Sequence, residues 1–218
     1  MTNRNKGLIY KTLDYKESSK LLFVYTPTGK VTLVANGIKS LKNEHRHLAQ
    51  YLTLIEFDMK DKDMYSLSKP LLLNDYRQVK VSYQQTKHIA IILELIDHLI
   101  TEDLPHDKVY SLLEYINTNV EMAHLIFAVK LLFLLGYGLD FVGNDPVGFS
   151  IKEARVATKT NRLYPEIGLE ETVLLSKVYF YKQEDELTLT SDEIMKIETF
   201  IRTFYRYHLE YDIKGLRE

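Results

Sequence analysis

The chain has 218 residues, 45% of them hydrophobic and 27% charged, which is typical of a folded protein with one large or two small domains. It has no cysteine, which excludes disulfides and any zinc or iron–sulfur site held by cysteines, and which fits a reducing compartment such as the cytoplasm. The formal net charge of −2 hides a basic beginning and an acidic remainder.

The first eighty residues have the alternation of side chains that β-strands require. Strands are predicted over 8–13, 21–26, 30–35, 52–60 and 64–69. The turn residues Pro27-Thr28-Gly29 make a hairpin of the second and third strands, and the polar run 61–63 connects the last two. Five short strands with one longer connection at 37–51 favour an OB-fold, the commonest barrel of this size that binds nucleic acid. An SH3-like barrel or an open antiparallel sheet fits the same pattern.

Near residue 76 the apolar period changes to that of helices. Helices are predicted over about 78–101, 107–118 and 121–136, and a last one opens at the capping box of Thr190 and Glu193. The third is apolar nearly all round, as a helix buried in a bundle is, and Gly136 ends it. Residues 137–170 are expected to be irregular, and 173–181 fit a helix or a strand.

The predicted fold class is therefore α+β with two domains. An OB-fold barrel covers residues 1–77, and a helical domain covers 78–218 with a small insertion at about 139–170. The opening MTNRNKGLIYK lacks the apolar core of a signal peptide, and the longest apolar run, around 131–135, is too short to cross a bilayer. We therefore expect neither export nor a membrane partner.

The charge is divided unevenly between the two predicted domains. Residues 1–80 carry 14 Lys+Arg against 8 Asp+Glu, a net of +6, whereas residues 81–218 carry 14 against 22, a net of −8. Such a split favours a basic binding module joined to an acidic body. An uneven distribution of surface charge by chance is the alternative.

The segment 26–47, TPTGKVTLVANGIKSLKNEHRH, is the strongest candidate for a binding site, and we call it the basic ribbon. Its four cations stand against the single acid Glu44: Lys30, Lys39, Lys42 and Arg46. Nucleic-acid binding needs cations along a groove and aromatic faces for the bases, and three tyrosines are near in sequence: Tyr10, Tyr25 and Tyr51. The ribbon is thus a candidate polyanion site, with a solvated loop as the alternative.

Two further basic groups lie in the acidic half. The second basic cluster contains one acid, Glu153, and consists of Lys152, Arg155, Lys159 and Arg162. It predicts a second DNA contact or a solvated loop. On the last helix, Arg202 and Arg206 flank the apolar stripe and suit a groove for an acidic, hydrophobic peptide. An intrahelical ion pair of Glu198 with Arg202 is the simpler explanation.

No pattern indicates an enzyme or a metal site. No two histidines have the i, i+4 spacing with an intervening Glu that predicts metal ligands, and His124 and His208 lie in apolar stretches typical of core histidines. Asp58, Asp61 and Asp63 are close in sequence but fall on a predicted turn, where aspartate is favoured for the turn itself. We expect no catalytic residue, no metal and no cofactor.

In their order along the chain, these residues resemble the bacterial recombination-mediator family RecO. Segment 7–40 is similar to the N-terminal pattern of the family through Tyr15, Glu17 and Ser18, through Thr26, Gly29 and Lys30, and through the loop Asn36-Gly37-Ile38-Lys39. Three later segments resemble the family as well: HLAQYLTLIEFDM at 47–59, Leu135-Gly136-Tyr137, and FYRYHLEYDIKGLRE at 204–218. The resemblance spans both halves and rests on the order and spacing of the motifs together.

The resemblance implies an N-terminal OB-fold and a helical domain with a small zinc-ribbon-like insertion. It implies a protein without catalytic residues that binds single- and double-stranded DNA, anneals strands, and helps to load RecA onto strands coated by single-strand-binding protein. The implied protein partners are RecR, the acidic C-terminal tail of single-strand-binding protein on the helical domain, RecF and RecA. The implied location is the cytoplasm, at the nucleoid.

Two positions depart from the family pattern. Many members hold zinc with four cysteines, but residues 139–162 contain none, so the insertion is expected to be metal-free. The loop lysine of the family is Asn36 here, so Lys39, Lys42 and Arg46 must supply the charge of the loop. An interaction scaffold with weak DNA binding of its own, or another OB-fold nucleic-acid-binding protein, are the alternatives.

Overall fold

The structure, a computed structural model, describes residues 4–60 and 65–217. The chain divides into two compact units: the first combines Met1–Thr86 with Leu95–Ser111, and the second combines Lys87–Glu94 with Leu112–Glu218. The domain boundary expected near residue 77 stays a prediction. The polar turn expected at 61–63 lies outside the described residues.

Five strands of the first unit close into a barrel with the order β1-β2-β3-β5-β4. They are β1 (Asn5–Tyr15), β2 (Ser19–Thr26), β3 (Gly29–Ala35), β4 (Thr53–Lys60) and β5 (Ser66–Asn74). The predicted hairpin is confirmed, because β2 and β3 pair antiparallel with Thr26 opposite Gly29. β3 and β5 meet in parallel at Val34 and Ser66. The closed barrel confirms the predicted OB-fold class, and the open sheet is wrong.

Inward-facing strand residues make the apolar core of the barrel: Ile9, Leu22, Val24, Leu33, Ala35, Ile55 and Phe57. Burial of each larger side chain contributes roughly 1.5–3 kcal/mol. Three residues of the long connection between β3 and β4 belong to the same cluster: Ile38, Leu48 and Ala49. The connection 36–52 is therefore fastened to the barrel by apolar packing, which fixes the position of its basic side chains.

Two of the predicted helices are interrupted. The helix expected over 78–101 is split into α1 (Arg77–Val81) and α2 (Tyr83–Leu99), because Ser82 is extended and its hydroxyl accepts a hydrogen bond from the Gln85 N–H as the cap of α2. The helix expected over 107–118 consists of α3 (His106–Ser111), a 3₁₀ turn (Leu112–Glu114) and α4 (Tyr115–Thr118).

Three longer helices dominate the second unit: α5 (Ala123–Leu134), α6 (Leu169–Phe180) and α7 (Ser191–His208). Every residue of α5 from Ala123 to Val129 is buried, as its continuous apolarity predicts. After α5, the Gly136 N–H bonds the Phe133 carbonyl and the Tyr137 N–H bonds the Leu132 carbonyl, which confirms the glycine cap. The capping box of α7 is also confirmed. Within residues 4–60 and 65–217, none of the helices has the length and apolarity that a bilayer crossing requires.

The insertion before α6 is a small sheet, so its description as irregular is wrong. It consists of β6 (Pro146–Ser150), β7 (Arg155–Thr158) and β8 (Ile167–Gly168) in the order β7-β6-β8. Strands this short, in a segment rich in glycine and proline, leave too few alternating residues to show a period. Gly148 is needed here, because a Cβ atom would lie 2.3 Å from the Ile167 carbonyl oxygen of the neighbouring strand.

Candidate functional site

An open cleft of about 730 Å³ lies at the end of the barrel where β1 turns into β2. Its walls come from that turn and from the connection between β3 and β4. The charged and histidine side chains that line it are Asp14, Lys20, Lys39, Glu44, Arg46 and His47. Three permanent cations thus face two carboxylates, and Lys42 adds a further cation from the same connection. We call this concave surface the basic cleft.

Local hydrogen bonds give the connection its shape. The Lys39 N–H donates to the Ser18 carbonyl at 2.9 Å, which joins the connection to the β1–β2 turn. Gly37 has φ +64, in the left-handed region that glycine adopts without strain, and its carbonyl accepts from the Asn43 side-chain amide at 3.2 Å. With Ile38 and Leu48 buried beneath, the basic side chains project from a backbone held on both sides.

The cations of the basic cleft make only weak interactions within the protein. Lys39 Nζ lies 3.1 Å from Asp14 Oδ2, and both side chains are partly exposed. Such a pair is worth about 0–1 kcal/mol, so a phosphate group can replace the carboxylate at little cost. Lys20 Nζ donates to the Ala49 carbonyl at 3.3 Å. Arg46 is exposed and forms no ion pair within 4.0 Å among residues 4–60 and 65–217.

The four cations of the basic ribbon do not share one surface, because Lys30 lies apart from the other three. Lys39 and Arg46 line the cleft, and Lys42 is exposed on the same connection. Lys30 lies at the other end of β3, five residues before Ala35, or roughly 17 Å along the strand. Its ammonium donates to the Asp97 carbonyl at 2.9 Å and lies 5.8 Å from the Tyr10 ring, and burial lowers its pKa.

The three tyrosines near the basic ribbon in sequence have different environments, and Tyr10 is buried. Tyr25 is fully buried, because α3 covers it on the outside of the barrel and its ring packs against His106 and Tyr110. Burial also raises its pKa. No face of the Tyr25 ring is open to a base. The prediction that Tyr25 stacks on bases is therefore wrong. Tyr51 is 48% exposed and directly follows Gln50, which lines the cleft.

Sequence reasoning missed two residues of the cleft. Lys20 is the second residue of β2 and His47 lies in the 3₁₀ turn Arg46–Leu48, and both line the cleft. The charge of Lys20 was visible in the sequence. Its position beside the connection depends on the contact of Lys20 with Ala49, 29 residues later in the chain. A local sequence pattern does not predict such a contact.

The second basic cluster gathers on one hairpin of the second unit. Lys152 lies in the β6–β7 turn, Arg155 begins β7, and the other two residues follow the strand. All four side chains are exposed. Arg155 Nη2 lies 3.1 Å from Asp140 Oδ2. A role for Lys152, Arg155, Lys159 and Arg162 in DNA binding stays a prediction.

A groove of about 350 Å³ follows the exposed face of α7, and we call it the arginine groove. It is lined by Thr199, Arg202, Thr203, Arg206 and Tyr207. The carboxylate of Asp212 faces these arginines: its Oδ1 lies 4.0 Å from Arg202 Nε and 3.8 Å from Arg206 Nε. Its Oδ2 pairs with Arg217 Nε at 2.9 Å.

Glu94 fixes the segment that carries Asp212. Glu94 Oε1 accepts hydrogen bonds from the Tyr211 hydroxyl and the Lys214 N–H, both at 2.8 Å. Its Oε2 accepts from the Gly215 N–H at 3.2 Å. Hydrogen bonds to a carboxylate are about twice as strong as neutral ones, so the Tyr211 side chain before Asp212 and the backbone of Lys214 and Gly215 after it are held in place.

Comparison with known proteins covers the whole chain. The family model "Recombination protein O N terminal" matches residues 1–75, and "Recombination protein O C terminal" matches residues 82–217. The DNA repair protein RecO of Halalkalibacterium halodurans is 24% identical over 239 residues, covering 100% of this chain and 94% of that protein. The DNA repair protein RecO of Caldicellulosiruptor bescii is 23% identical, covering 98% and 96%. That of Clostridium perfringens is 31% identical over 62% of this chain and 58% of that protein.

The second unit also holds a buried cluster that the sequence did not reveal. His88 of α2, His124 of α5 and Glu198 of α7 bring their ligand-type atoms within 4.8 Å of one another. His124 Nε2 lies 3.1 Å from Glu198 Oε1, and the two imidazole rings stack at 3.9 Å with an interplanar angle of 19°. An ion bound by two imidazoles lies near the plane of both rings, which stacked rings do not allow. The geometry therefore favours a cluster held by the hydrogen bond between His124 and Glu198 over a metal site. The expectation that the protein binds no metal stays a prediction.

Burial sets the protonation of this cluster. Burial is the main reason that the pKa of His88 is lowered to about 4, and the neighbouring His124 acts in the same direction. Burial by itself raises the pKa of Glu198, but the hydrogen bond with His124 and the charge of that residue outweigh it, so the pKa of Glu198 is lowered. Glu198 therefore stays ionised beside His124, while His88 stays neutral at physiological pH.

The His88 pKa predicts a loss of stability in mild acid. Between about pH 6.5 and 4 the unfolded chain binds a proton at His88 that the folded chain does not, so the free energy of unfolding falls as the pH is lowered, by up to about 3 kcal/mol. Urea unfolding across this range checks it. His88→Gln should show a shallower pH dependence than wild type, and the control His98→Gln, at an exposed position, should not. Equal pH dependence in wild type and His88→Gln would contradict the assignment.

Proposed function

Because the chain belongs to the RecO family of bacterial DNA-repair proteins, we propose that it is a recombination mediator that binds DNA in the basic cleft of its barrel. In this proposal it binds single- and double-stranded DNA, anneals complementary strands, and with RecR helps to load RecA onto strands coated by single-strand-binding protein. RecF is proposed as a further partner. The family supports a place of action at the nucleoid, in the cytoplasm.

The basic cleft is the observation that carries this proposal. Cations along a concave surface displace the counterions of a phosphate backbone, and this contribution is independent of sequence. Lys39 and Arg46 are held by a connection that is packed onto the barrel core, and neither is committed to a strong internal partner. A positive surface that is already in place does not have to be ordered when DNA binds.

We propose that the protein acts by binding and not by catalysis. Of the three aspartates that stand close together in the sequence, Asp58 is described, and its carboxylate lies 3.8 Å from both Arg4 Nε and Lys69 Nζ. The Asp58 carboxylate is thus engaged in ion pairs with two cations, which supports a structural role for it. Asp61 and Asp63 lie outside the described residues.

A second proposed function is supported by the arginine groove. Its threonine, tyrosine and arginine side chains suit an acidic peptide with apolar residues, such as the C-terminal tail of single-strand-binding protein. The net charge of −8 on residues 81–218 favours a protein partner for this half of the chain, because such a body repels DNA outside its local basic groups. If DNA binding by the isolated protein is weak, this scaffold role becomes the main one.

Removal of two cations from the basic cleft should weaken DNA binding in a salt-dependent way. For single strands, each lost phosphate contact reduces the slope of log affinity against log salt by about 0.7, so Lys39→Gln with Arg46→Gln should reduce it by about 1.4. Fluorescence anisotropy with labelled oligothymidylate between about 50 and 200 mM salt measures the slope. Lys182→Gln, in the acidic loop before α7, is the matched control. An unchanged affinity and slope in the double variant would exclude the cleft as the binding site.

Asp212 should compete with an acidic peptide for the arginine groove. Asp212→Asn removes a carboxylate that faces Arg202 and Arg206, so a peptide with an acidic, hydrophobic C-terminus should bind about two- to five-fold more tightly, as expected for an exposed ion pair. Arg206→Glu should weaken the same peptide. Isothermal titration measures both, with Asp192→Asn at the start of α7 as control. If neither substitution at the groove changes the affinity, the peptide binds elsewhere.

A further inference from the structure

Two exposed tyrosines and a partly exposed lysine of the first unit follow the basic cleft along the chain. Tyr51 follows the cleft residue Gln50 and is 48% exposed. Lys80 of α1 places its ammonium 5.8 Å from the centroid of the Tyr51 ring. Tyr83, the first residue of α2, is 85% exposed. We infer that Tyr51, Lys80 and Tyr83 form a stacking platform for the unpaired bases of a strand whose phosphates lie in the basic cleft.

Internal contacts hold Lys80 beside Tyr51. The Lys80 ammonium donates to Thr53 Oγ1 at 3.3 Å, two residues beyond Tyr51 in the chain. Burial lowers the pKa of Lys80, whereas the charge of Asp75 acts in the opposite direction. The lysine thus bridges α1 and the start of β4. A cation over a tyrosine ring is favourable by about 0.5–1 kcal/mol at an exposed site, which orients the ring without covering all of it.

Tyr83 directly follows the break between α1 and α2. Ser82 is extended and caps α2, while the Thr86 hydroxyl donates to the Val79 carbonyl at 3.2 Å and ties the two helices together. In this arrangement Val81 is 80% exposed and Tyr83 is 85% exposed. Large side chains held out from a rigid backbone bury little apolar surface in the free protein. They are therefore accessible to a ligand.

Base stacking distinguishes single strands from duplexes. Each unpaired base has an open face that can stack on tyrosine whatever its sequence, whereas the faces of paired bases are covered by their neighbours. The basic cleft binds phosphates, which both forms of DNA possess. The platform therefore gives the proposed DNA site a preference for unpaired nucleotides. This inference rests on the proposed function, since it needs DNA in the cleft.

The experiment compares tyrosine and phenylalanine variants on two forms of DNA. Tyr51→Ala with Tyr83→Ala removes both rings, and Tyr51→Phe with Tyr83→Phe keeps them as the matched control. Each protein is titrated with an oligothymidylate of about 16 nucleotides and with a duplex of the same length. The alanine pair should bind the single strand about 5- to 150-fold more weakly for each stacked base that is lost, and the duplex within about two-fold of wild type. The phenylalanine pair should bind both like wild type.

A spectroscopic measurement adds an independent readout. A 2-aminopurine placed in the oligothymidylate should lose fluorescence on binding to wild type and to the phenylalanine pair, but not on binding to the alanine pair at saturating protein. Wild-type DNA binding together with unchanged single-strand affinity in the alanine pair overturns the platform alone. An equal loss for both forms of DNA also overturns it. A wild-type protein that binds neither form overturns the proposed function, and the platform with it.

Discussion

The packing of Ile38, Leu48 and Ala49 into the barrel core is the constraint on which the proposed DNA site depends. These residues join a connection of polar and basic residues to the same apolar cluster that holds the strands together. Without that packing, Lys39, Lys42 and Arg46 would sit on a flexible loop, and binding would have to order them. With it, the chain presents a positive concave surface from a backbone that is already fixed.

In the second unit, too, internal contacts hold the backbone beside a charged surface, and there the carboxylate of Glu94 makes them. Glu94 accepts hydrogen bonds from the Tyr211 hydroxyl and the Lys214 N–H, on either side of Asp212, and Asp212 in turn faces the arginines of α7. An acid beside basic side chains occurs at both candidate sites, since Asp14 lies beside Lys39 as Asp212 lies beside Arg206. Such pairs are weak in water, so they orient the cations while leaving them available to an anionic ligand.

The sequence predicts strands and helices better than it predicts which side chains share a site. The alternation in β1–β5 and the capping box at Thr190 are local, and both predictions are confirmed. Tyr25 follows the same alternation, but α3, some eighty residues later, covers it, and no local pattern shows this. The stack of His88 on His124 likewise depends on tertiary contacts. The separation of Lys30 from Lys39, in contrast, follows from the length of β3. The insertion was hidden for another reason, because its strands are too short to display a period.

The central claim, that DNA lies in the basic cleft, is tested most directly by lysine footprinting of the wild-type protein. Lysines are acetylated with a limiting reagent, with and without saturating single-stranded DNA, and the sites are quantified by mass spectrometry. Lys20 and Lys39, which line the cleft, should be protected by bound DNA, while Lys177 and Lys182 should react at unchanged rates. Equal modification of Lys20 and Lys39 in the free and the DNA-bound protein would contradict the account.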